Sequence, residues 1–423
     1  MAANAAREKV VRDGITPPGR LVLLRLRKSG PSVPLCVWGE MSGSVKSGLF
    51  GAPKHVAAAR GLAEFQFGRP VIMRSGDEQI AVLPVDGMPD ESLAAFRLLC
   101  APKRPCLLVT ARRARALGLN GNAPAGLAID DLDNAADIFS LAADAQLTRP
   151  LDVIAPSPIA SAAFELAKLA QRLPALLACA IAPDAVQACD PPLIVVDAEA
   201  IAPFRQAAIE SLTVASDASI PLNGGLAARF VVFRDGIGGT PIAVIVGKPD
   251  FARPVPLRLH SACLTGDVFG SRRCDCGDQL RLAIAELEHH GGGIILYLEQ
   301  EGRGLGLANK MRAYRLQDTG LDTLDANTVL GFNDDERDYG VAVRMLQMLG
   351  CTRVRLLTNN PAKLDGLAHA GIEVSGRMPL HGPINSDNRR YLTAKATRAG
   401  HQLDHVLGAA GAAALGPQSS REP

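Results

Sequence analysis

The tightest constraint on this chain is a cluster of three cysteines in the segment RLHSACLTGDVFGSRRCDCGDQL. Cys263, Cys274 and Cys276 lie within fourteen residues, beside His260 and several charged side chains. A structural zinc site usually has four protein ligands, whereas a catalytic zinc has three and leaves one position for water. No second cysteine or histidine pair follows at zinc-finger spacing. The spacing therefore predicts a zinc site of the catalytic kind, and the alternative is a set of free or buried thiols.

The sequence leaves the role of His260 open. It is either a fourth metal ligand or a group that contacts a ligand or the substrate. Zinc bound by three thiolates and one water delivers hydroxide near neutral pH, which suits hydrolysis of a C–N bond.

Length and composition limit the class of protein. A chain of 423 residues suggests two or three domains, and 48% apolar residues indicate a globular protein. The formal net charge of +2 gives no basis for predicting a nucleic-acid or membrane-surface partner. The nine cysteines are an odd number, which does not fit a secreted disulfide framework, so we expect reduced thiols and a cytoplasmic location. We expect neither a signal peptide nor a membrane span, because no suitable apolar run occurs.

The pattern of apolar residues predicts a mixed α/β (α+β) fold with two domains. We expect an irregular extension over residues 1–55, an Ala- and Leu-rich domain over 56–220, a second domain over 221–404 and a mobile tail over 405–423. In the first domain, helical spacing occurs in ESLAAFRLL, ARRARALGL and SAAFELAKLAQRL, and PVIM, PCLLVT and PLDVIA indicate buried strands. In the second, β-branched strands alternate with helices such as DQLRLAIAELEHH and YGVAVRMLQMLG.

The segment LEQEGRGLGLANKMRAY contains alternating glycines at Gly302, Gly304 and Gly306. Arg303, Lys310 and Arg312 flank these glycines. Glycines let backbone N–H groups approach an anion, and basic side chains complete a phosphate site. The alternative is a plain turn followed by a solvated basic helix, since the segment matches neither a P-loop nor a dinucleotide-binding motif.

The segment GFNDDERDYG crowds four acidic residues and Arg337 into a turn before a helix. Acidic residues at that place are ordinary caps for a helix N-terminus. Arg337 opposes the helix dipole, which favours a carboxylate acting as general base beside an arginine that meets phosphate.

In LLTNNPAKLDGL, a strand leads into a turn and a helix begins near Pro361. Thr358 follows the strand, at the edge where open α/β sheets bind ligands. Lys363, one turn into the helix, is placed to meet phosphate. The alternative is an Asn-rich turn with a surface lysine.

In order and spacing, these motifs resemble those of GTP cyclohydrolase II, over roughly residues 228–404. The resemblance implies zinc on Cys263, Cys274 and Cys276, and magnesium with the triphosphate. It implies that water activated by zinc attacks C8 of guanine, with release of formate and pyrophosphate in the first step of riboflavin biosynthesis. We also expect a homodimer with GTP as its small-molecule substrate, and no nucleic-acid or membrane partner.

The resemblance also assigns roles to single residues. Tyr314 matches a tyrosine that positions or polarises the base, Asp335 the proton acceptor, and Arg337 the residue that engages the α-phosphorus. The positions that match nucleotide contacts are Arg258, Leu259, His260, Ser261, Ala262, Gln279, Glu301, Gly302, Arg303, Thr323, Thr358 and Lys363. The family often has glutamate where this chain has Ala262, which bears on affinity or specificity.

The N-terminal half resembles 3,4-dihydroxy-2-butanone-4-phosphate synthase in FGRPVIM, RARALGL and SAAFELAKLAQRLPALLACAI. The chemistry of that family depends on acidic residues and a histidine that hold magnesium. Here only Asp77 and Glu78 follow FGRPVIM, and Ile159 and Ser161 stand near the positions of the metal-binding histidine and its partner glutamate. We therefore expect a degenerate, non-catalytic domain.

Two other functions remain open at this stage. A related enzyme that opens another heterocycle, such as a pyrimidine in base catabolism, is compatible with Ala262. A non-enzymatic zinc module is the other alternative, and the presence of Tyr314, Asp335 and Arg337 argues against it.

Overall fold

The chain builds two seven-stranded β-sheets that are flanked by helices. The structure is a computed structural model, and it describes residues 51–130, 132–145, 150–182 and 189–398. Both sheets belong to one compact unit. The mixed α/β fold predicted from the sequence is confirmed.

The first sheet is formed by the N-terminal half in the order β5-β4-β3-β6-β2-β1-β7. Its pairs are antiparallel except for β1 and β7, which run parallel. The strands are β1 (Val71–Ser75), β2 (Glu78–Pro84), β3 (Cys106–Val109), β4 (Ala125–Ala128), β5 (Val153–Ile154), β6 (Ala175–Ala180) and β7 (Val195–Asp197).

The second sheet has the order β14-β13-β11-β12-β10-β9-β8. β14, β13, β11 and β12 are parallel neighbours, and β10, β9 and β8 continue the sheet in antiparallel pairing. The strands are β8 (Thr213–Pro221), β9 (Ala227–Arg234), β10 (Ile242–Gly247), β11 (Val255–Ser261), β12 (Gly292–Leu298), β13 (Arg353–Leu357) and β14 (Glu373–Met378).

Thirteen α-helices lie within the described ranges. Six belong to the N-terminal half, namely α1 (Pro53–Gln66), α2 (Asp90–Cys100), α3 (Ala111–Ala116), α4 (Ala135–Ala143), α5 (Ala160–Leu169) and α6 (Ile201–Glu210). The others are α7 (Leu264–Asp267), α8 (Cys276–His289), α9 (Leu307–Asp318), α10 (Thr323–Val329), α11 (Gly340–Met348), α12 (Pro361–His369) and α13 (Arg389–Arg398).

Each helix and strand segment singled out in the sequence adopts the predicted type, but two features differ. The strand in PLDVIA has only two residues, Val153 and Ile154, and both are exposed rather than buried. They pair with β4 alone at the sheet edge, so one side of the strand faces solvent. The sequence did not predict β8, whose nine residues are all exposed and show no alternation of apolar and polar positions.

The two halves share a hydrophobic core. One cluster of buried side chains joins strands of the first sheet to residues that belong to the C-terminal half, namely Leu305, Ala313, Ala326, Leu330 and Phe332. An ion pair between Arg312 and Asp86 adds to this contact. The helices α9 and α10 are therefore packed directly against the N-terminal half.

Several expectations fall outside the described ranges. Most of the predicted extension, residues 1–50, and the predicted tail, residues 405–423, lie there. Within the described ranges, no helix is both long and apolar enough to cross a lipid bilayer.

Candidate active site

Three parallel strands bring the motifs of the C-terminal half together. β12, β11 and β13 are adjacent and parallel, so their carboxyl ends meet at one edge of the sheet. The cysteine segment follows β11, the glycine segment follows β12 and the TNNP turn follows β13. A cleft opens at this edge, as the position of Thr358 predicts.

The three cysteine thiols converge at one side of the cleft. Cys263 follows β11, and Cys276 is the first residue of α8. The three Sγ atoms lie within 4.8 Å of one another, and those of Cys263 and Cys274 are 3.7 Å apart. A tetrahedral zinc with Zn–S bonds of about 2.3 Å sets its sulfurs about 3.8 Å apart, so the donor set fits zinc. The cluster can hold a metal ion.

His260 does not belong to the thiol cluster. It is buried, and its Nε2 lies 3.1 Å and 3.2 Å from the two carboxylate oxygens of Asp267. The same carboxylate accepts hydrogen bonds from the amide of Cys263 at 3.0 Å and from the hydroxyl of Tyr297 at 2.9 Å. Asp267 thereby ties His260 to the backbone of a cysteine, which fits the role of a group that supports the site.

Lys310 points at the thiols. Its Nζ lies 3.1 Å from the Sγ of Cys263, 2.9 Å from the hydroxyl of Thr265 and 2.8 Å from Glu301. Burial lowers the pKa of Lys310, but the hydrogen bond to Glu301 and the interactions with Tyr314 and Cys263 together outweigh burial, and the net shift is upward. Hydrogen bonds from Cys274, Cys276 and Lys310 hold the pKa of Cys263 below its ordinary value. A charged lysine therefore faces a thiolate.

The glycine segment forms a tight turn that closes on itself. Gly302, Gly304 and Gly306 all have positive φ, and Arg303 shares this conformation with φ of 63°. The three glycine amides donate to oxygens of Gln300 and Glu301 inside the turn. The sequence had predicted that these amides face an anion. They are used instead to hold the turn, so the basic side chains are left as the groups that can meet phosphate.

Arg303 belongs to the cleft, but Arg312 does not. Arg303 lines the cleft and donates to the carbonyl oxygen of Asp334 over 3.3 Å. Arg312, which the sequence predicted in the same phosphate site, pairs with Asp86 of the N-terminal half. It lies on the face of α9 that packs against that half, because residues two positions apart on a helix, such as Lys310 and Arg312, point to different sides.

Arg258 lies at the base of the cleft. It donates to the carbonyl oxygen of Leu357 at 3.0 Å and to the side chain of Gln279, which in turn donates to Asp275. Burial lowers the pKa of Arg258 to about 10, so the guanidinium is still charged at neutral pH. This chain of hydrogen bonds fixes a buried cation toward the cleft.

Arg337 lines the cleft, and Asp335 holds it in place. Asp335 accepts hydrogen bonds from the Arg337 amide at 3.0 Å and from Nε at 2.8 Å, and the carboxylate also pairs with the guanidinium terminus. Burial raises the pKa of Asp335, but the hydrogen bonds and the charge of Arg337, with the charge of Arg303, together outweigh burial, and the net shift is downward. Asp335 itself is not among the residues lining the cleft. Its role as proton acceptor stays a prediction.

The TNNP turn closes the side of the cleft beyond β13. α12 begins at Pro361, as the sequence predicts. Thr358 is buried, and its hydroxyl accepts from the amide of Asn360 at 3.0 Å. Lys363 is buried rather than on the surface, and its ammonium donates to the carbonyl oxygen of Leu259 at 2.8 Å. The side chain of Leu259 packs in the core of the second sheet, so only its backbone meets this site.

The remaining predicted residues also line the cleft. Tyr314 lies beneath the guanidinium of Arg273, whose carbon is 4.6 Å from the ring centroid. Thr323, at the start of α10, accepts a hydrogen bond from Gln317 at 3.5 Å. Of the residues that match the resemblance, the cleft contains Arg258, His260, Ser261, Ala262, Gln279, Glu301, Gly302, Arg303, Tyr314, Thr323, Arg337, Thr358, Lys363 and the three cysteines.

The cleft as a whole is suited to a polar anionic molecule. Five basic side chains line it against two acidic ones, Asp275 and Glu301. Four of its residues carry a buried polar atom without a hydrogen-bond partner in the described structure, namely Arg258 Nε, His260 Nδ1, Ser261 Oγ and Gln300 Oε1. Buried polar atoms are nearly always paired, so such a concentration indicates a place where a ligand supplies the partners.

Several residues of the site were not predicted from the sequence. The sequence pattern associates Lys310 with phosphate rather than with the thiols. It does not indicate five other residues that line the cleft, namely Gln300, Gln317, Asn327, Asn359 and Asn360. Their neighbours in the chain were the available signal, since each lies next to or within a helical turn of a predicted residue. Whether their side chains point into the cleft depends on tertiary packing, which the local sequence does not encode.

In the N-terminal half, the structure defines the surroundings of Ile159, Ser161 and Glu78. Ile159 is 1% exposed within an apolar cluster, whereas Ser161 is exposed. Glu78, in the strand after β1, accepts a hydrogen bond from Ser157 at 2.6 Å. Among the described residues, the thiol cluster is the one group of three or more His, Cys, Asp or Glu side chains that converge on a common point.

Comparison with known proteins agrees with the geometry of the cleft. Residues 213–379 match the sequence model of a family described as GTP cyclohydrolase II. The chain is 40% identical over 361 residues to GTP cyclohydrolase-2 of Xylella fastidiosa strain 9a5c, covering 84% of this chain and 89% of that protein. It is 42% identical over 363 residues to GTP cyclohydrolase-2 of Azospirillum brasilense, covering 82% and 94%.

Two further proteins are similar either over a shorter part of the chain or at a lower sequence identity. The riboflavin biosynthesis protein RibBA of Bacillus mycoides strain KBAB4 is 53% identical over 163 residues, which is 38% of this chain and 41% of that protein. A solved structure, the two-domain 3,4-dihydroxy-2-butanone 4-phosphate synthase RibBX of A. baumannii, is 16% identical and covers 77% of this chain and 99% of its own, with a TM-score of 0.28.

Proposed function

The chain belongs to the GTP cyclohydrolase II family, and we propose that it hydrolyses GTP to a diaminopyrimidine nucleotide, formate and pyrophosphate in riboflavin biosynthesis. One observation carries the proposal: a cluster of three thiols and five basic side chains line the same cleft. Hydrolysis of a ring C–N bond and binding of a triphosphate need these two sets of groups side by side.

Cys263, Cys274 and Cys276 would hold a zinc ion, which supplies an activated water for hydrolysis near neutral pH. His260 and Asp267 keep the backbone of Cys263 in position, since the carboxylate accepts the cysteine amide at 3.0 Å. Lys310 offsets the negative charge of the thiolates from a distance of 3.1 Å.

The basic residues of the cleft would bind the triphosphate. Arg303 comes from the glycine turn, and Arg337 comes from the segment between α10 and α11. Arg258 on β11 and Lys363 on α12 are buried cations that line the same cleft. Asp335 holds Arg337 in place by accepting three of its hydrogen bonds, so that its charge is in position before substrate arrives. Magnesium is expected to accompany the triphosphate.

Tyr314 would contact the base rather than the phosphates. Its ring is held by Arg273 on one side and approached by the ammonium of Lys310, which is 5.7 Å from the ring centroid. The position on α9 places this tyrosine in the same cleft as the thiols. A hydroxyl beside the reacting ring can hold or transfer a proton there.

We also propose that residues 56–220 lack dihydroxybutanone-phosphate synthase activity. Ile159 and Ser161 offer no ligand that resembles imidazole or carboxylate, and Glu78 is paired with Ser157. The full chain, given ribulose 5-phosphate and magnesium, should form none of the four-carbon phosphate. Formation of that product would contradict this part of the proposal.

The central test is incubation of purified, zinc-loaded protein with GTP and magnesium, with assays for formate and pyrophosphate. We expect both products in equal amounts, together with a diaminopyrimidine nucleotide. The Cys274→Ser variant should lose most of its bound zinc and its ring-opening activity while remaining folded by circular dichroism. Full zinc content in that variant would contradict the assignment of the metal ligands.

Because of Ala262, a pyrimidine base should be tested as a second substrate in the same assay. Ala262 lines the cleft and brings only a methyl group, where a glutamate would bring a carboxylate. If the zinc-loaded protein leaves GTP unchanged but hydrolyses a free pyrimidine base, it opens a different heterocycle.

A further inference from the structure

The segment 329–338, which carries Asp335 and Arg337, is held along its length by the N-terminal half. Five side chains from that half contact it at intervals of two or three residues. The contacts are Arg113 with the carbonyl of Val329 at 3.1 Å, Thr110 with that of Gly331 at 2.7 Å, Arg112 with Asp334 at 3.4 Å, Lys168 with Glu336 at 3.0 Å, and Arg205 with Asp338 at 3.2 Å.

Along residues 334–338, the side chains that contact the N-terminal half alternate with those of Asp335 and Arg337. Asp334, Glu336 and Asp338 turn toward the N-terminal half, and Arg337 between them lines the cleft. Asp335 binds Arg337. Because the three anchored carboxylates flank Asp335 and Arg337 in the chain, anchoring them restricts the positions that Asp335 and Arg337 can take.

The pair of Lys168 and Glu336 is the most enclosed of these ion pairs. Only 14% and 12% of their side chains are exposed, against 31% and 48% for Arg112 and Asp334. Removing one partner from an enclosed ion pair costs much more than removing one from an exposed pair, because the remaining charge is left without compensation.

Glu336 also connects three parts of the site. Its carboxylate accepts the amide of Asn333 at 2.8 Å, and its own amide donates to the carbonyl oxygen of Arg303 at 3.0 Å. A Cβ on Gly304 would lie 2.9 Å from the backbone of Glu336, so the two turns are in direct contact. Lys168 therefore anchors the residue that links the turn of Arg303 to the turn of Arg337.

We propose that Lys168, from the N-terminal half, is a positioning residue for the cyclohydrolase site, acting through Glu336 on Arg337 and Arg303. The N-terminal half would then be retained because it supports the phosphate-binding arginines, beyond its role as a cover for apolar surface. The inference rests on the proposed function for its catalytic consequence. Its structural consequence, the anchoring of residues 329–338, is tested without GTP.

The test uses the full chain with Lys168→Met, Lys168→Arg, and Lys168→Met combined with Glu336→Gln. Lys54→Met is the matched control, because Lys54 makes an exposed ion pair with Glu199 inside the N-terminal half and does not belong to the cleft. Hydrogen exchange of peptides covering 329–338 is measured first. The rates of pyrophosphate and formate release from GTP and the KM follow.

In Lys168→Met, we expect exchange in this segment to become about tenfold faster, and kcat for pyrophosphate release to fall about tenfold with less change in KM. Lys168→Arg should keep near-normal values because it retains the charge. Adding Glu336→Gln should restore part of the loss, since glutamine removes the uncompensated charge yet still accepts the amide of Asn333.

The inference is overturned if exchange in 329–338 is the same in Lys168→Met, Lys54→Met and the unmodified chain. It is also overturned if neither Lys168→Arg nor the Glu336→Gln combination differs from Lys168→Met, because the loss would then not depend on the pair. If the unmodified chain leaves GTP unchanged, the proposed function fails, and the exchange measurement still decides whether Lys168 anchors the segment.

Discussion

The ammonium group of Lys310 donates a hydrogen bond to the Sγ of Cys263 over 3.1 Å, and the same group binds Glu301 at 2.8 Å. Glu301 in turn accepts the amide of Leu264 at 2.7 Å, in the helix that follows Cys263. The glycine turn and the cysteine segment are therefore joined through one charged lysine. A change at Lys310 acts on the thiols and on the turn at once.

Lys310→Met should weaken zinc binding. The substitution removes the cation beside three thiolates, and loss of a group that supports a metal ligand typically costs about tenfold to hundredfold in metal affinity. Competition with a chromophoric chelator measures the effect. Lys248→Met, at an exposed lysine outside the cleft, serves as the control and should bind zinc normally. Equal zinc affinity in Lys310→Met and the unmodified protein would show that the lysine does not support the thiol cluster.

Gly266→Ala should disrupt the same cluster by steric contact. A Cβ at this position would lie 2.8 Å from the Sγ of Cys274 and 3.1 Å from that of Cys263. The thiols must move apart, so we expect zinc affinity to fall about tenfold or more, with the fold retained. Gly376→Ala is the control, since the nearest atom to its Cβ is 3.9 Å away. Normal zinc content in Gly266→Ala at limiting zinc would falsify this account of the glycine.

Much of the site was predictable because its chemistry is local in sequence. The spacing of Cys263, Cys274 and Cys276 already limits where their thiols can lie. The sequence did not predict β11 as a strand, but the strand patterns at β12 and β13 place the glycine segment and the TNNP turn at the carboxyl edge of a sheet. Thr358 was predicted at that edge for this reason. Helices with strong apolar periodicity, such as α5 and α8, were predicted because their pattern also lies within a short stretch of sequence.

What the sequence did not predict depends on long-range packing. Lys310 and Arg312 are two residues apart and look equivalent, yet one faces the thiols and the other binds Asp86, over 200 positions away in the chain. The exposed edge strand β8 carries no apolar alternation because it has little core to cover. Lys168 gave no functional signal, since its partner Glu336 comes into reach only when the two halves pack together.

Arg337 and Tyr314 should affect different products. Arg337→Ala removes a cation that we propose binds phosphate. We expect the rate of pyrophosphate release to fall about hundredfold and the rate of formate release to fall with it. Tyr314→Phe keeps the ring but removes the hydroxyl, so formate release should fall by a similar factor while pyrophosphate release changes less. Arg281→Ala, at an exposed residue of α8, is the control. Unchanged release of both products in both variants would place the active site elsewhere.

The stability contributed by Asp335 should disappear in acid. Burial raises the pKa of its carboxyl, but the hydrogen bonds and the charge of Arg337, with the charge of Arg303, together lower it more, so the folded-state pKa lies below the ordinary value of 3.8. A group whose pKa is lower in the folded state stabilises the protein above the unfolded-state pKa, and that contribution is lost as pH falls through the folded-state value. Asp335→Asn, which mimics the protonated form, should therefore unfold at a lower urea concentration than the unmodified protein at pH 7. The difference between the two should shrink steadily below about pH 4. Urea titrations across that range measure it, and a difference that stayed constant or grew in acid would mean that Arg337 does not hold the carboxylate in its ionised form.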